Sequence, residues 1–239
     1  MSPTLNEQAA DLLGITLTKA QETAFTMFAR ELVTWNEQVN LTAITDDDGI
    51  RVRHFLDSLT ITKAEPMRAG LKIIDVGTGA GFPGLPLKIA YPEVEVTLLE
   101  ATGKKIAFLD HVIAALGLTG VHTLHARAEE AGHMAGQRGA YDVVVARAVA
   151  RLPVLLEYLL PLAKVGGRCI AMKGAKTAYD EARDSAKSMQ VLGARLGEIV
   201  EVRLPEVEEI HALVVVEKTA PTPSAYPRKP GIPTKKPLI

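Results

Sequence analysis

The sequence predicts an α/β protein, a mostly parallel seven-stranded sheet covered on both faces by helices and preceded by an N-terminal helical region. Three observations carry that expectation. Seven runs rich in β-branched residues lie at 72–76, 95–100, 121–126, 142–146, 168–172, 198–203 and 211–217. Helical stretches at 84–91, 103–117, 152–164 and 177–192 separate most of them, and strands alternating with helices of this length build parallel sheets. A composition of 47% hydrophobic and 23% charged residues over 239 positions supplies a sizeable core and excludes a disordered or collagen-like chain.

Taken in order, residues 1–70 read as helical. Thr18-Lys19-Ala20-Gln21 has the form of a capping box, in which a threonine hydroxyl and a glutamine side chain satisfy free amides at a helix start. Phe25, Phe28, Leu32 and Trp35 follow at three- and four-residue spacing, one apolar helix face. Asp46-Asp47-Asp48 suits the positive end of a further helix that carries Arg51 through Leu59. Residues 71–218 hold the alternating strands and helices. Only Pro205 and an acidic loop separate the last two strands, which predicts a hairpin with an antiparallel member at the sheet edge. Residues 219–239 form a basic, proline-rich tail, expected to be extended and solvated.

Charge is distributed unevenly. Residues 1–70 carry a net −4, whereas 218–239 hold Lys218, Arg228, Lys229, Lys235 and Lys236 with no acid. A uniformly basic coat for nucleic acid is excluded, and the tail cations, with Arg51 and Arg53, remain candidates for phosphate contacts. No apolar run approaches the ~18 residues of a membrane span, and the N-terminus lacks a basic-then-apolar leader pattern. The lone Cys169 cannot form an internal disulfide, which fits a reducing cytoplasm.

The strongest local signal is Asp75-Val76-Gly77-Thr78-Gly79-Ala80-Gly81-Phe82-Pro83-Gly84, closing one strand and opening a helix. Gly77, Gly79 and Gly81 allow close backbone approach to a ligand. Dinucleotide sites want G-x-G-x-x-G with a pyrophosphate on the helix N-terminus; here the third glycine arrives one residue early. That spacing after an acid is the pattern of S-adenosylmethionine sites, where Asp75 is suited to the amino group of the methionine moiety. Glu100, at the end of the next strand, is placed to accept both ribose hydroxyls. Arg127, Ala128 and Glu129 follow the third strand, Arg147 the fourth and Lys173 the fifth, so all would border one cleft at the carboxyl ends of the strands.

Several chemistries lack their residues. The sequence has no G-x-S-x-G elbow, no Walker lysine loop and no H-E-x-x-H. His122 and His125 lie three apart in a strand and so on opposite faces, which argues against a metal site. Cys169 reads as a buried structural residue, and His54 with Asp57 as a lock between the helical region and the sheet.

In these residues the chain resembles the bacterial 16S ribosomal RNA guanine-N7 methyltransferases, the glucose-inhibited division protein B family. The likeness rests on Trp35-Asn36, Asn40-Leu41-Thr42, Val52 through Leu59, Ile73 through Gly84, Ala146-Arg147-Ala148-Val149 and Ala171-Met172-Lys173-Gly174. It implies a class I, Rossmann-like methyltransferase fold, S-adenosylmethionine as donor, and a guanine in the decoding-region loop of 16S rRNA as acceptor, in the small ribosomal subunit or an assembly intermediate. It implies no metal and no membrane. By motif, Gly77, Phe82 and the segment Glu100-Ala101-Thr102 would contact the donor, and Ala128 and Glu129 would hold its adenine end. Arg147 would lie at the junction of donor and target base, with Arg127 and Lys173 as weaker candidates for fixing the nucleotide.

The position after the fourth strand supports ring-nitrogen methylation. An amino-group enzyme would show Asn/Asp-Pro-Pro-aromatic there, and a cytosine-C5 enzyme a nucleophilic cysteine. Alternatives are a methyltransferase of a protein or small molecule, a non-catalytic S-adenosylmethionine sensor, and a nicotinamide dehydrogenase, the last disfavoured by the glycine spacing.

Overall fold

The computed structural model describes residues 3–239. The N-terminal region opens with α1 (Leu5–Leu13) and α2 (Lys19–Asn36). Both start in capping boxes, Thr4 with Glu7 and Thr18 with Gln21. Gln21 serves twice: its Oε1 accepts the Thr18 amide at 2.8 Å, while its Nε2 donates to the carbonyls of Ile89 and Ala90 at 3.1 and 2.8 Å. The cap thus also ties α2 to the sheet layer. A second helical run follows Asp46, whose carboxylate caps Gly49 N at 2.7 Å. It comprises α3 (Asp47–Gly49), a π-helical segment (Ile50–Leu56), α4 (Asp57–Leu59) and a 3₁₀ turn (Thr60–Lys63). A π segment widens the turn and often marks a functional position.

One sheet holds the strands in the order β3-β2-β1-β4-β5-β7-β6. They are β1 (Lys72–Val76), β2 (Glu95–Glu100), β3 (Val121–His125), β4 (Tyr141–Arg147), β5 (Ala163–Gly174), β6 (Ala194–Val202) and β7 (His211–Lys218). Between them run α5 (Gly84–Ala90), α6 (Gly103–Ala115), α7 (Ala128–Ala131), α8 (Leu152–Leu159), α9 (Ala175–Asp184) and α10 (Ala186–Leu192). The first five strands are parallel, and β7 is antiparallel to both β5 and β6. The antiparallel strand therefore lies one place in from the edge, not at it. The crossover through α9 and α10 sets β6 apart from β5, and the returning β7 fills the gap.

The central strands are buried at consecutive positions, Ile73 to Val76 in β1 and Val143 to Ala146 in β4, so both faces of the sheet are covered and apolar. On one face Ile73, Val96, Leu98, Val143, Val145 and Val215 join Phe25, Phe28, Leu32, Phe55, Leu56 and Leu59 in a single core. The N-terminal helices are thus part of the sheet's own packing. Phe28 is fully buried, and truncating it to alanine would cost about 3–5 kcal/mol. On the other face Ile74, Val76, Val144, Ala146, Val214 and Val216 pack with α8, α9 and α10.

Three of the differences from the sequence reading have identifiable physical causes. The helix expected over 152–164 stops at Leu159, because Pro161 has no N–H to continue it, and β5 begins at Ala163. The helix expected over 177–192 breaks at Ser185, whose hydroxyl donates to the Glu181 carbonyl at 2.6 Å and competes with the backbone ladder. The tail is not extended into solvent. It packs back on the body and ends in α11 (Ile232–Lys235). Lys218, counted among its free cations, is buried in β7 and donates to the Leu192 carbonyl at 2.9 Å; burial pushes its pKa down to about 8.

Candidate active site

The glycine loop after β1 is organised from beneath by Asp75. This residue is 0% exposed; its Oδ2 accepts the Thr78 hydroxyl at 2.5 Å and the Gly84 amide at 2.8 Å. Burial pushes its pKa up to about 6. Through Oδ2 this buried carboxyl shapes the loop from within, and Oδ1 is left without a protein partner. At the loop's rim, Gly79 has φ +61° and open space where a Cβ would be, so a ligand can approach its backbone. Gly77 has φ +67°, and a Cβ there would come within 2.8 Å of Val149.

Glu100 ends β2 beside this loop. Its Oε2 accepts the Gly79 amide at 3.1 Å and its Oε1 the Thr102 amide at 2.8 Å. A carboxylate offers about four lone-pair sites, so both oxygens retain acceptor capacity. Ala101 and Thr102 are exposed and lead into α6. One strand further out, Ala128 and Glu129 open α7 after β3. Glu129 is 7% exposed and accepts a tail amide, that of Gly231, at 3.1 Å on Oε1.

Arg147, at the end of β4, is the most connected side chain of the cleft. Its Nη1 donates to Asp57 Oδ2 and to the Arg53 carbonyl, both at 2.9 Å. Its Nη2 lies 3.2 Å from His54 Nδ1, and its guanidinium sits 5.0 Å from the centroid of the Phe82 ring. Asp57 is held in turn by His211 Nδ1 at 2.8 Å on its other oxygen. Because Arg147 can only donate, His54 Nδ1 accepts and its Nε2–H points to the Thr42 hydroxyl 2.8 Å away. Burial, then the Arg147 charge, lowers the His54 pKa to about 4, in keeping with a neutral ring. The hydrogen bond to Asp57 raises that of His211. Asn36 completes the chain by accepting the Leu41 and Thr42 amides at 2.8 and 2.9 Å.

After Arg147 the backbone turns sharply. Ala148 has φ +55°, a left-handed conformation costing roughly 1–2 kcal/mol outside glycine, and it brings Val149 over Gly77. Lys173 holds the turn: its Nζ donates to the Ala150 carbonyl at 2.5 Å and pairs with Glu181 at 2.9 Å, while Glu181 also accepts the Leu152 amide at 2.7 Å. Two of the three Lys173 ammonium N–H groups are thus engaged within the protein.

The Phe82 ring is also committed. It is buried, stacked on His54 at 4.5 Å and on Phe28 at 5.3 Å, so it joins the helical region to the loop beneath the Arg147 guanidinium. Arg127 stands exposed at the rim. Arg51 is half-buried against Asp48 and Gln8, and only Arg53 of that pair is exposed. Burial pushes the Cys169 thiol up to about 12, as befits a structural residue.

His211, Thr42 and Asn36 carry the site without having been assigned roles from sequence. Asn36 and Thr42 stood only among the motif residues of the resemblance, and His211 only in a strand, none of which names a partner. Among the described residues no cluster of three or more His, Cys, Asp or Glu side chains is arranged to hold a metal, and no helix is long and apolar enough to cross a membrane.

A family model described as rRNA small subunit methyltransferase G matches residues 21–210. Proteins named ribosomal RNA small subunit methyltransferase G share that likeness. The one from Desulfitobacterium hafniense is 48% identical over 95% of this chain and 93% of its own length. The one from Pelotomaculum thermopropionicum is 46% identical over 100% and 99%. Among solved structures, TrmN from Thermus thermophilus superposes with a TM-score of 0.53 at 19% identity, covering 70% of this chain and 53% of that one. M. jannaschii TYW2 in complex with AdoMet gives 0.53 at 16%, covering 68% and 76%. The structural likenesses establish the Rossmann-like methyltransferase fold.

Proposed function

The chain belongs to the rRNA small subunit methyltransferase G family, and from that premise we propose that it methylates N7 of one guanine in the decoding-region loop of 16S rRNA, within the small subunit or an assembly intermediate in the cytoplasm. S-adenosylmethionine is the cofactor. It supplies the electrophile, a methyl group on a positively charged sulfur. The residues present fit it: Glu100 keeps acceptor capacity for a ribose diol, the Gly79 backbone faces open space, and Glu129 stands where the adenine end would lie.

The observation that carries the acceptor side is the setting of Arg147. Among the described residues, its guanidinium spends three of five N–H groups on Asp57, Arg53 and His54, which leaves two for a ligand. Those two suit the O6 edge or the phosphate of a guanosine, because a fixed planar fork reads such acceptors well. Guanine N7 carries an in-plane lone pair and no proton, so no general base is required. The chain's task is alignment, which can supply about 7–11 kcal/mol of barrier reduction. Drawing the base from its stack costs a few kcal/mol. The exposed cations Arg53, Arg127 and Lys176, which have no ion-pair partner among the described residues, would meet the RNA backbone.

The test is methyl transfer from labelled S-adenosylmethionine to small subunits lacking the modification, followed by mass mapping. A single 7-methylguanosine in 16S rRNA is expected. Label at another atom or in protein would overturn the acceptor assignment.

A further inference from the structure

The tail reaches the candidate site, and its anchorage is too specific for a solvated terminus. Arg138 donates to four backbone carbonyls, Gly132 at 2.7 Å, Tyr226 at 2.8 Å, Thr222 at 2.8 Å and Pro223 at 3.1 Å. His133 Nε2 lies 2.7 Å from the Pro227 carbonyl. The Glu157 side chain, 1% exposed on α8, is met by the Arg228 guanidinium at 2.6 Å and by the Arg228 amide at 2.7 Å. A buried carboxylate without such a partner would be strongly destabilising, so the sequence of α8 presupposes the tail. Tyr158 and Thr234 then bring α11 against the same helix at 3.2 Å.

Between these anchors, Gly231 presents its amide to Glu129 Oε1 at 3.1 Å. Gly231 has φ +81°, a conformation that suits glycine and aims the amide at this point. Glu129 Oε2 has no protein partner among the described residues, and it is not among the fully enclosed unpartnered atoms. One carboxylate oxygen is therefore pinned by the tail and the other is offered to a ligand.

The loops after β1, β2 and β3 lie side by side in the sheet. With a ribose at Glu100, an attached base falls toward α7. We propose that the C-terminal strap is a structural part of the donor site: the Gly231 amide fixes the Glu129 carboxylate so that its free oxygen accepts from the exocyclic amine of adenine. The strap then helps the enzyme to prefer a 6-amino over a 6-oxo purine. This rests on the donor site lying across β1–β3, as proposed above.

The experiment is calorimetric titration of the full chain with S-adenosylhomocysteine and with its 6-oxo analogue, S-inosylhomocysteine. The wild type should favour the adenine compound by at least about tenfold, the scale of one lost hydrogen bond to a charged group. Gly231→Pro removes the donated N–H and, because a proline ring cannot adopt φ +81°, lifts the strap from Glu129; it should weaken S-adenosylhomocysteine about tenfold and bring the ratio toward one. Glu129→Gln leaves the strap untouched and should narrow the ratio independently, because an amide can donate to the 6-oxo group. Wild-type affinities and ratio in either variant would overturn the proposal. If the wild type binds neither compound, the donor-site reading itself fails, which is a different result.

Discussion

The two halves of the cleft are built in different ways. The inner part of the proposed donor half, from Asp75 to Thr102, is nearly continuous in sequence. It is knitted by carboxylates that accept backbone amides: Asp75 from Gly84, and Glu100 from Gly79 and Thr102. The acceptor half is assembled from Thr42, Arg53, His54, Asp57, Arg147 and His211, and its bonds join side chains up to 154 positions apart. A backbone cradle tolerates changes in its neighbours, because amides stay where the loop puts them. A side-chain network fails at each member, since losing one partner leaves a buried polar group unsatisfied.

The sharpest test of that contrast is Arg147→Ala. Methyl transfer should fall at least about a thousandfold, on the scale of removing a positioning charge, while calorimetric affinity for S-adenosylhomocysteine stays within about threefold. Strong loss of donor binding would show that the halves are one unit. Glu100→Ala should do the reverse. Losing the acceptor for two hydroxyls should weaken donor binding about a hundredfold, roughly 2.7 kcal/mol, with the RNA complex unaffected in a filter-binding assay.

Acid tells the halves apart as well. His54 has its pKa lowered to about 4 in the fold, so its contribution to stability is complete above pH 6.5 and is lost as pH falls toward 4. Asp75, raised to about 6, acts oppositely: its burial costs stability above pH 6, and that cost fades as it protonates toward pH 4. In urea titrations, the stability difference between wild type and His54→Asn should shrink by roughly 2 kcal/mol from pH 7 to pH 4.5. A difference that does not change with pH would mean that the histidine is not held neutral.

The smallest effect is expected at His211, which touches Arg147 only through Asp57. His211→Gln should reduce turnover about tenfold, roughly 1.4 kcal/mol, with the KM for the donor unchanged. Because its pKa is raised in the fold, wild-type stability from this residue is complete below pH 6.5 and is lost as pH rises through the folded value. That slope should vanish in the variant.

The same contrast explains what was legible beforehand. The glycine loop and Glu100 were readable because a strand, a turn and an acid at fixed spacing are local matters of backbone torsion and hydrogen bonding. The alternation of strands with helices placed the parallel part of the sheet. By contrast, Asp57 and His211 meet only after β7 inserts beside β5, and no short-range pattern encodes that meeting. Lys173 looked like a free cation at the strand ends, yet Glu181 eight residues later claims it. Arg228 looked like a tail charge because Glu157 lies 71 positions earlier in an apolar helix. Composition reads such residues one at a time, whereas burial pairs them.

The insertion of β7 between β5 and β6 also orders events in time. A chain emerging from synthesis has the glycine loop and Glu100 once residues up to Thr102 are available, but Glu129 waits for Gly231, and β6 has no neighbour to pair with until His211–Lys218 arrive. Until then Asp57 lacks its histidine, Glu157 lacks its arginine, and an open sheet edge invites association with other chains. A chain that stops short of β7 leaves the β5 edge unpaired, and one that stops short of Arg228 leaves Glu157 buried without its partner.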